Sequence, residues 1–160
     1  MMRVTINGFG RMGRLALRAL DAKKGLEVVA INEPIGSNET LALLTTQDSQ
    51  QGTWNVDCHG DHQGLVLKGR PIRRFEETSP GKIPWAEVDC DIVIDCSGQF
   101  RTSELLQPHL DQGARRVVVS APVPGVVEIV MGVNHEHPGL ATAPISSAAS
   151  CTTNALAPIV

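Results

Sequence analysis

Two short stretches carry residue types whose spacing can do chemistry. Ser150-Cys151-Thr152-Thr153-Asn154 places a thiol among hydroxyls, where a loop of small residues, 146–149, reads as passing into a helix. A thiol at such a junction meets backbone N–H groups without helical partners and the positive end of the helix dipole, and both favour the nucleophilic thiolate. Hydroxyls on either side can hold a tetrahedral anion, and the Cys151 N–H can face a developing oxyanion. A cysteine is more commonly a small buried hydrophobe, so on these residues alone both readings stand.

The second stretch is Gly8-Phe9-Gly10-Arg11-Met12-Gly13, a G-x-G-x-x-G pattern that on its own means little. Its surroundings give it meaning. The apolar run Val4 to Ile6 precedes it, a helical pattern follows, and a second apolar run leads to Glu33, twenty residues beyond Gly13. That is the plan of a dinucleotide-binding β-α-β unit. Gly8 permits a tight turn, Gly10 lets the backbone approach a diphosphate, and Gly13 allows close helix–strand packing. Glu33 can accept from both hydroxyls of an adenosine ribose and repels a 2′-phosphate. No Lys or Arg lies within 34–44 to reverse that preference, so the cofactor expected is NAD rather than NADP.

The elements that must position these residues alternate along the chain. Val4 to Ile6, Leu26 to Ile31, Ile92 to Ile94 and Val117 to Val119 read as buried parallel strands. Helices are predicted from about Arg11 to Lys24, with Leu15, Ala16, Ala19 and Leu20 on the packed face and Gly25 as terminator, from Glu39 to Thr45 behind Ser37 or Asn38, and after Thr102, where Pro108 should kink or shorten the helix. The stretch from Thr53 to Phe75, with its Lys68-Gly69 turn, reads as an antiparallel excursion. The fold class expected is α/β: a doubly wound, mainly parallel sheet of Rossmann type with that excursion.

Bulk properties exclude several function classes. The 160 residues carry a net charge of -3 with both signs interspersed and no basic run beyond pairs, so no nucleic-acid footprint is present. Aromatics are 3% with no tyrosine, which leaves little for base stacking. No apolar run reaches the ~18 residues of a membrane span, and the N-terminus runs directly into a strand pattern, so a cytoplasmic location is expected. The four cysteines form no C-x-x-C pair and suit a reducing compartment. Cys58-His59-Gly60-Asp61-His62 and His135-Glu136-His137 have ligand-type residues but read as solvated turns, so no metal is expected.

Ser150-Cys151-Thr152-Thr153-Asn154 followed by Ala155-Leu156-Ala157-Pro158 resembles the active-site signature of glyceraldehyde-3-phosphate dehydrogenases, and Asn7 to Arg14 resembles their opening. Ala30-Ile31-Asn32-Glu33-Pro34, Ile83-Pro84-Trp85, Ser120-Ala121-Pro122 and Met131-Gly132-Val133-Asn134-His135 are similar to further family segments, in family order. The resemblance implies that Arg11 and Met12 line the diphosphate loop, Glu33 holds the adenosine ribose, Ser97, Gly98 and Phe100 flank adenine and ribose, and Ser120 contacts the nicotinamide side. It implies Cys151 as nucleophile towards an aldehyde phosphate, with Ser150 and Thr152 binding the inorganic phosphate that releases the thioester. It also implies a homotetramer, with residues 1–150 as the NAD-binding domain, 151–160 as the first turns of a second domain, and the rest of that domain, with its general-base histidine, missing. Asn32-Glu33 resembles erythrose-4-phosphate dehydrogenases, whereas residues 10–18 and Ala148 to Cys151 resemble the paralogue associated with arsenate detoxification, in which arsenate replaces phosphate.

Overall fold

The computed structural model describes residues 1–160. Eleven strands form in chain order: β1 (Met2–Asn7), β2 (Leu26–Asn32), β3 (Gln47–Asp48), β4 (Gly52–Thr53), β5 (Cys58–Gly60), β6 (Gly64–Leu67), β7 (Arg70–Phe75), β8 (Ile92–Asp95), β9 (Arg116–Val119), β10 (Val127–Glu128) and β11 (Ile145–Ser147). Four α-helices join them: α1 (Arg11–Asp21), α2 (Asn38–Thr46), α3 (Ser103–Asp111) and α4 (Cys151–Leu156). Nine strands make one sheet in the order β10-β11-β9-β8-β1-β2-β7-β6-β5, and β3 and β4 pair separately. All neighbours from β10 to β7 are parallel, while β7-β6-β5 is antiparallel. This is a Rossmann-type α/β fold with the antiparallel excursion expected from residues 53–75. Lys68 and Gly69, both in the left-handed region at φ 51° and 74°, close the β6-β7 hairpin.

Two apolar clusters hold the sheet between its helices. One gathers Ile6, Phe9, Leu17, Ile31 and Leu41 with the β6 and β7 side chains under α1 and α2. The other gathers Phe75, Trp85, Val93, Leu106 and Val117 on the side of α3. Burying each large apolar side chain contributes roughly 1.5–3 kcal/mol. β1, with Ile6 in the first cluster, Val4 and Thr5 also buried, and β2 and β8 paired on its two sides, is the rigid centre on which the glycine turn rests.

Three sequence expectations change in detail. Helix α1 stops at Asp21 rather than Lys24: the Lys23 N–H turns back to the Leu20 carbonyl, and the Asp21 carboxylate pairs with Lys68 and Arg70 on the β6-β7 hairpin. Its packed face is Gly13, Ala16, Leu17 and Leu20, while Ala19 points to solvent. Of residues 146–149, read as a loop from their small side chains, Ser146 and Ser147 instead complete strand β11, which pairs with β9 and buries both. Pro108 sits inside α3 without ending it, since Thr102 caps the start and the helix continues to Asp111.

Candidate functional site

The parallel strands all direct their C-terminal ends to one sheet edge, and at that edge the chain order reverses. From β1 it runs outward to β2 on one side and returns to β8 on the other. Such a switch point leaves a crevice, because the connections on either side leave in opposite directions. Here it is an open cleft of about 530 Å³ lined by Asn7, Gly8, Gly10, Glu33, Ser97 and Phe100 among others. A dinucleotide fits such a volume.

At the cleft floor Gly8 adopts φ +84°, and a Cβ there would collide with the backbone of Ser97. A Cβ on Gly13 would be driven into the Gly8 carbonyl oxygen, whereas one on Gly10 would meet no protein atom within 4 Å. The space over Gly10 is therefore open to the cleft. Helix α1 has no side-chain cap and no acidic residue in its first turn, and the N–H groups of Gly10, Arg11 and Met12 have no acceptor in the protein. Unmatched donors at the positive end of a buried-face helix suit a diphosphate. Glu33 turns its carboxylate onto this same loop, accepting from the Phe9 N–H at 2.9 Å and the Ile35 N–H at 3.2 Å. It thus clamps the glycine turn to the end of β2 and keeps lone pairs free for ribose hydroxyls. Thr78, Ser79 and Pro80 line the same end of the cleft.

Neither Arg11 nor Met12 is among the residues lining the cleft. The Arg11 guanidinium makes a bidentate pair with Asp48, at 2.9 and 3.0 Å, which ties the β3-β4 hairpin to the start of α1. Arg11, joined by the N–H groups of Gln51 and Gln50, holds the Asp48 carboxyl well below the usual carboxylate range. A carboxylate with a lowered folded value contributes stability that is full above about pH 4, its ordinary range, and is lost as pH falls through the folded value. Amide exchange across residues 47–53 is expected to stay slow down to about pH 4 and to quicken in stronger acid, before the rest of the sheet opens. Unchanged exchange there in acid would contradict this anchoring role.

On the other side of β1, Asp95 ends β8 and its Oδ1 accepts from the Ser97 N–H at 3.1 Å and the Ser97 hydroxyl at 2.7 Å. Gly98 follows, exposed at φ +71°, and Phe100 lies half-buried edge-on to His109. Ser120 directly follows β9 and donates its N–H to the Asp95 carbonyl. Cys151 begins α4, four residues beyond β11, and is exposed. Ala149 before it takes a left-handed φ of 59°, held by the bond from its N–H to Ser147 Oγ at 2.9 Å. The Ser150 hydroxyl accepts from the Thr153 N–H at 2.9 Å and meets Thr152 Oγ1 at 2.9 Å, so the two hydroxyls form one cluster beside the thiol. Since β11 is three strands from β1, the thiol's strand and the glycine turn lie roughly 14 Å apart along one edge, at about 4.8 Å per strand.

The four thiols differ in environment. Burial, with the charge of Asp57, pushes the Cys58 thiol up to about 11, and burial also pushes Cys96 up to about 11. Cys90 is buried and raised as well, its thiol against Thr5 Oγ1 at 3.1 Å. At pH 7.5 iodoacetamide is expected to label Cys151 first and the other three only on unfolding, as peptide mass spectrometry would read out. Equal labelling of Cys96 in the folded protein would contradict the described packing.

Several residues here were invisible to motif reading. Asn7, Asn32, Asp95, His109 and Trp85 form a buried polar network directly under the cleft. The one available signal was His109, three residues after Leu106 on the apolar face of a helix. Arg74 was missed too: β7 brings it beside Glu33, whose carbonyl it binds at 2.9 Å, while its guanidinium also pairs with Glu76. No group of three His, Cys, Asp or Glu side chains converges as a metal site, and no helix is long and apolar enough to cross a membrane.

Fold, switch-point cleft and glycine turn together define a dinucleotide-binding domain. Residues 2–103 match the model of the glyceraldehyde 3-phosphate dehydrogenase NAD-binding domain. The chain is 42% identical over 159 residues to glyceraldehyde-3-phosphate dehydrogenase 2 of Saccharomyces cerevisiae, an alignment covering 99% of this chain and 48% of that protein. It is 43% identical over 158 residues to the cytosolic glyceraldehyde-3-phosphate dehydrogenase of Chlamydomonas reinhardtii, covering 99% and 46%. The chain belongs to the glyceraldehyde-3-phosphate dehydrogenase family, its cofactor is NAD, and it spans about half the length of these relatives.

Proposed function

We propose that this chain carries the NAD site and the nucleophile of a phosphorylating aldehyde dehydrogenase acting on an aldehyde phosphate. Residues 1–150 would form the cofactor domain and 151–160 the start of the catalytic one. The observation that carries this reading is the exposed Cys151, set on the same sheet edge as the glycine turn and on the opposite side of it from Glu33. With the adenosine ribose at Glu33 and the diphosphate over the N–H groups of Gly10, Arg11 and Met12, an extended dinucleotide directs its reactive ring past Ser97 and Ser120 towards the thiol.

Cys151 Sγ adds to the aldehyde carbon and gives a thiohemiacetal, its N–H facing the oxygen that becomes charged. NAD, when bound, supplies the hydride acceptor that turns this adduct into a thioester. Ser150 and Thr152 hold the incoming phosphate, or arsenate in its place, against the acyl carbon; the C–S bond breaks and the thiolate is restored. The proton acceptor for the thiol and the groups that bind the substrate's own phosphate belong, in this reading, to the part of the relatives that this chain does not span. General-base assistance of that kind contributes about 10²–10⁴-fold. A homotetramer in the cytosol is the setting proposed for the intact protein.

The test uses the intact protein, with NADH formation measured from glyceraldehyde 3-phosphate and erythrose 4-phosphate, each with phosphate or arsenate. Turnover of glyceraldehyde 3-phosphate that depends on either anion is expected. Faster turnover of erythrose 4-phosphate would reassign the substrate, and no NADH from either aldehyde would remove the catalytic reading while leaving cofactor binding in place.

A further inference from the structure

Two hydrogen-bond chains converge on the buried Asp95, and each has its direction fixed at the far end by a group that can only donate. The first starts at the backbone N–H of Glu77, which gives to Asn32 Oδ1 at 2.9 Å; Asn32 Nδ2 gives to Asn7 Oδ1 at 2.8 Å; and Asn7 Nδ2 gives to Asp95 Oδ2 at 2.7 Å. The second starts at the indole N–H of Trp85, which gives to His109 Nδ1 at 2.9 Å. With Nδ1 accepting, the neutral ring carries its proton on Nε2, which gives to Asp95 Oδ2 at 3.2 Å. If Asp95 donated instead, both ring nitrogens would lack a proton, which a neutral imidazole does not allow. Oδ1 meanwhile receives the Ser97 N–H and the Ser97 hydroxyl, whose oxygen in turn accepts from the Gln99 N–H.

Four donors therefore enter this carboxylate, and none of them is a cation. Asp95 is 1% exposed, and its sole ion-pair contact is the histidine whose tautomer is set by Trp85. It is an ionised carboxylate neutralised by no opposite charge. The charge is felt at the cleft wall, where it adds to the burial that raises the adjoining Cys96 thiol.

We propose that Asp95 is a fixed buried anion beneath the nicotinamide half of the cleft, and that it makes the protein bind oxidised NAD more tightly than reduced NAD. The placement rests on the reading above: β8 lies on the side of β1 away from β2 and Glu33, so a cofactor with its adenosine between Glu33 and the residues after β8 runs across the end of β8 and carries its ring beyond it, towards β9. The ring carries one positive charge when oxidised and none when reduced, and the rest of the cofactor is common to both forms. Repulsion of the diphosphate by Asp95 cancels in the ratio of the two affinities. A loss of Ser97 positioning cancels likewise, so the ratio reads the charge alone. At an effective dielectric of about 20 and a separation of about 10 Å, the attraction corresponds to about a tenfold difference in affinity.

Affinities of the intact protein for NAD⁺ and NADH would be measured by titration calorimetry in wild type, Asp95→Asn, and the swapped double variant Asn7→Asp/Asp95→Asn, which returns the charge to the floor and sets a carboxylate at position 7, whose amide nitrogen lies 3.5 Å from His109 Nε2. The expected result is a shift of the ratio by about tenfold towards NADH in Asp95→Asn and its return in the double variant. Should Asp95→Asn not fold by circular dichroism, Asp95→Ser, which introduces no misdirected amide, carries the same comparison. An unchanged ratio in a folded single variant would overturn the proposal. So would failure of both single variants to fold while the double variant folds, since Asp95 would then serve the architecture alone. Absence of binding of either form to wild type would instead refute the cofactor placement itself.

Discussion

Gly13→Ala is expected to cost more than about 3 kcal/mol of folding stability and to abolish NAD binding. The residue is buried in the first turn of α1, and its new methyl would press into the Gly8 carbonyl oxygen, with Ile6 Cγ2 at 3.2 Å behind it. Neither neighbour can yield: Gly8 is backbone in a left-handed turn against Ser97, and Ile6 is fully buried in β1. Gly10→Ala is the informative contrast. Its methyl would meet no protein atom, so stability should fall by no more than about 1 kcal/mol, the ordinary cost of Ala at a helix N-cap, while NAD affinity drops because the diphosphate must occupy that space. Urea denaturation paired with NAD titration would separate the two. Equal effects of both substitutions on folding and binding would mean that the two glycines are not divided between packing and ligand.

Cys151→Ser is expected to lower dehydrogenase turnover of the intact protein by at least about 10⁴-fold while leaving NAD affinity within about twofold. The side chain is exposed at the first position of α4 and makes no packing contact in either apolar cluster, so the replacement carries no folding cost. A hydroxyl is a far weaker nucleophile than a thiol at neutral pH, and the group that takes the thiol's proton leaves it largely un-ionised. Stopped-flow measurement of NADH formation should lose its thiol-dependent burst. Retention of more than about a tenth of wild-type turnover would transfer the nucleophile to another residue.

The fold was legible in sequence wherever one signal dominated. Val- and Ile-rich runs gave the central strands because strands buried on both faces need continuous apolar side chains. The glycine turn and Glu33 were readable because backbone proximity admits few residue types, and those types recur at fixed spacing. Strand β11 was hidden because Ile145-Ser146-Ser147 carries only one large apolar residue; its place is set by pairing with β9 and β10, which a local pattern does not contain. The pairing of Asp21 at the end of α1 was hidden for the same reason, since its partners Lys68 and Arg70 come from a hairpin 47 and 49 residues away. Of the site, the donors at the start of α1 could be anticipated. The second duty of Glu33, gripping the Phe9 N–H, and the diversion of Arg11 to Asp48 could not, because both depend on which loops tertiary packing brings together. The network from Glu77 to Asp95 draws on three strands and, through His109, a helix, and no spacing rule links its members.

The most direct measurement is a crystal structure of the intact protein with NAD⁺. The expected density places the diphosphate on the N–H groups of Gly10, Arg11 and Met12, the adenosine ribose on Glu33, and the nicotinamide ring over the β8-β9 edge facing the Cys151 sulfur. A cofactor bound the other way round, with its ring at Glu33 and Thr78, or seated away from this edge, would contradict the assignment of every site residue made above.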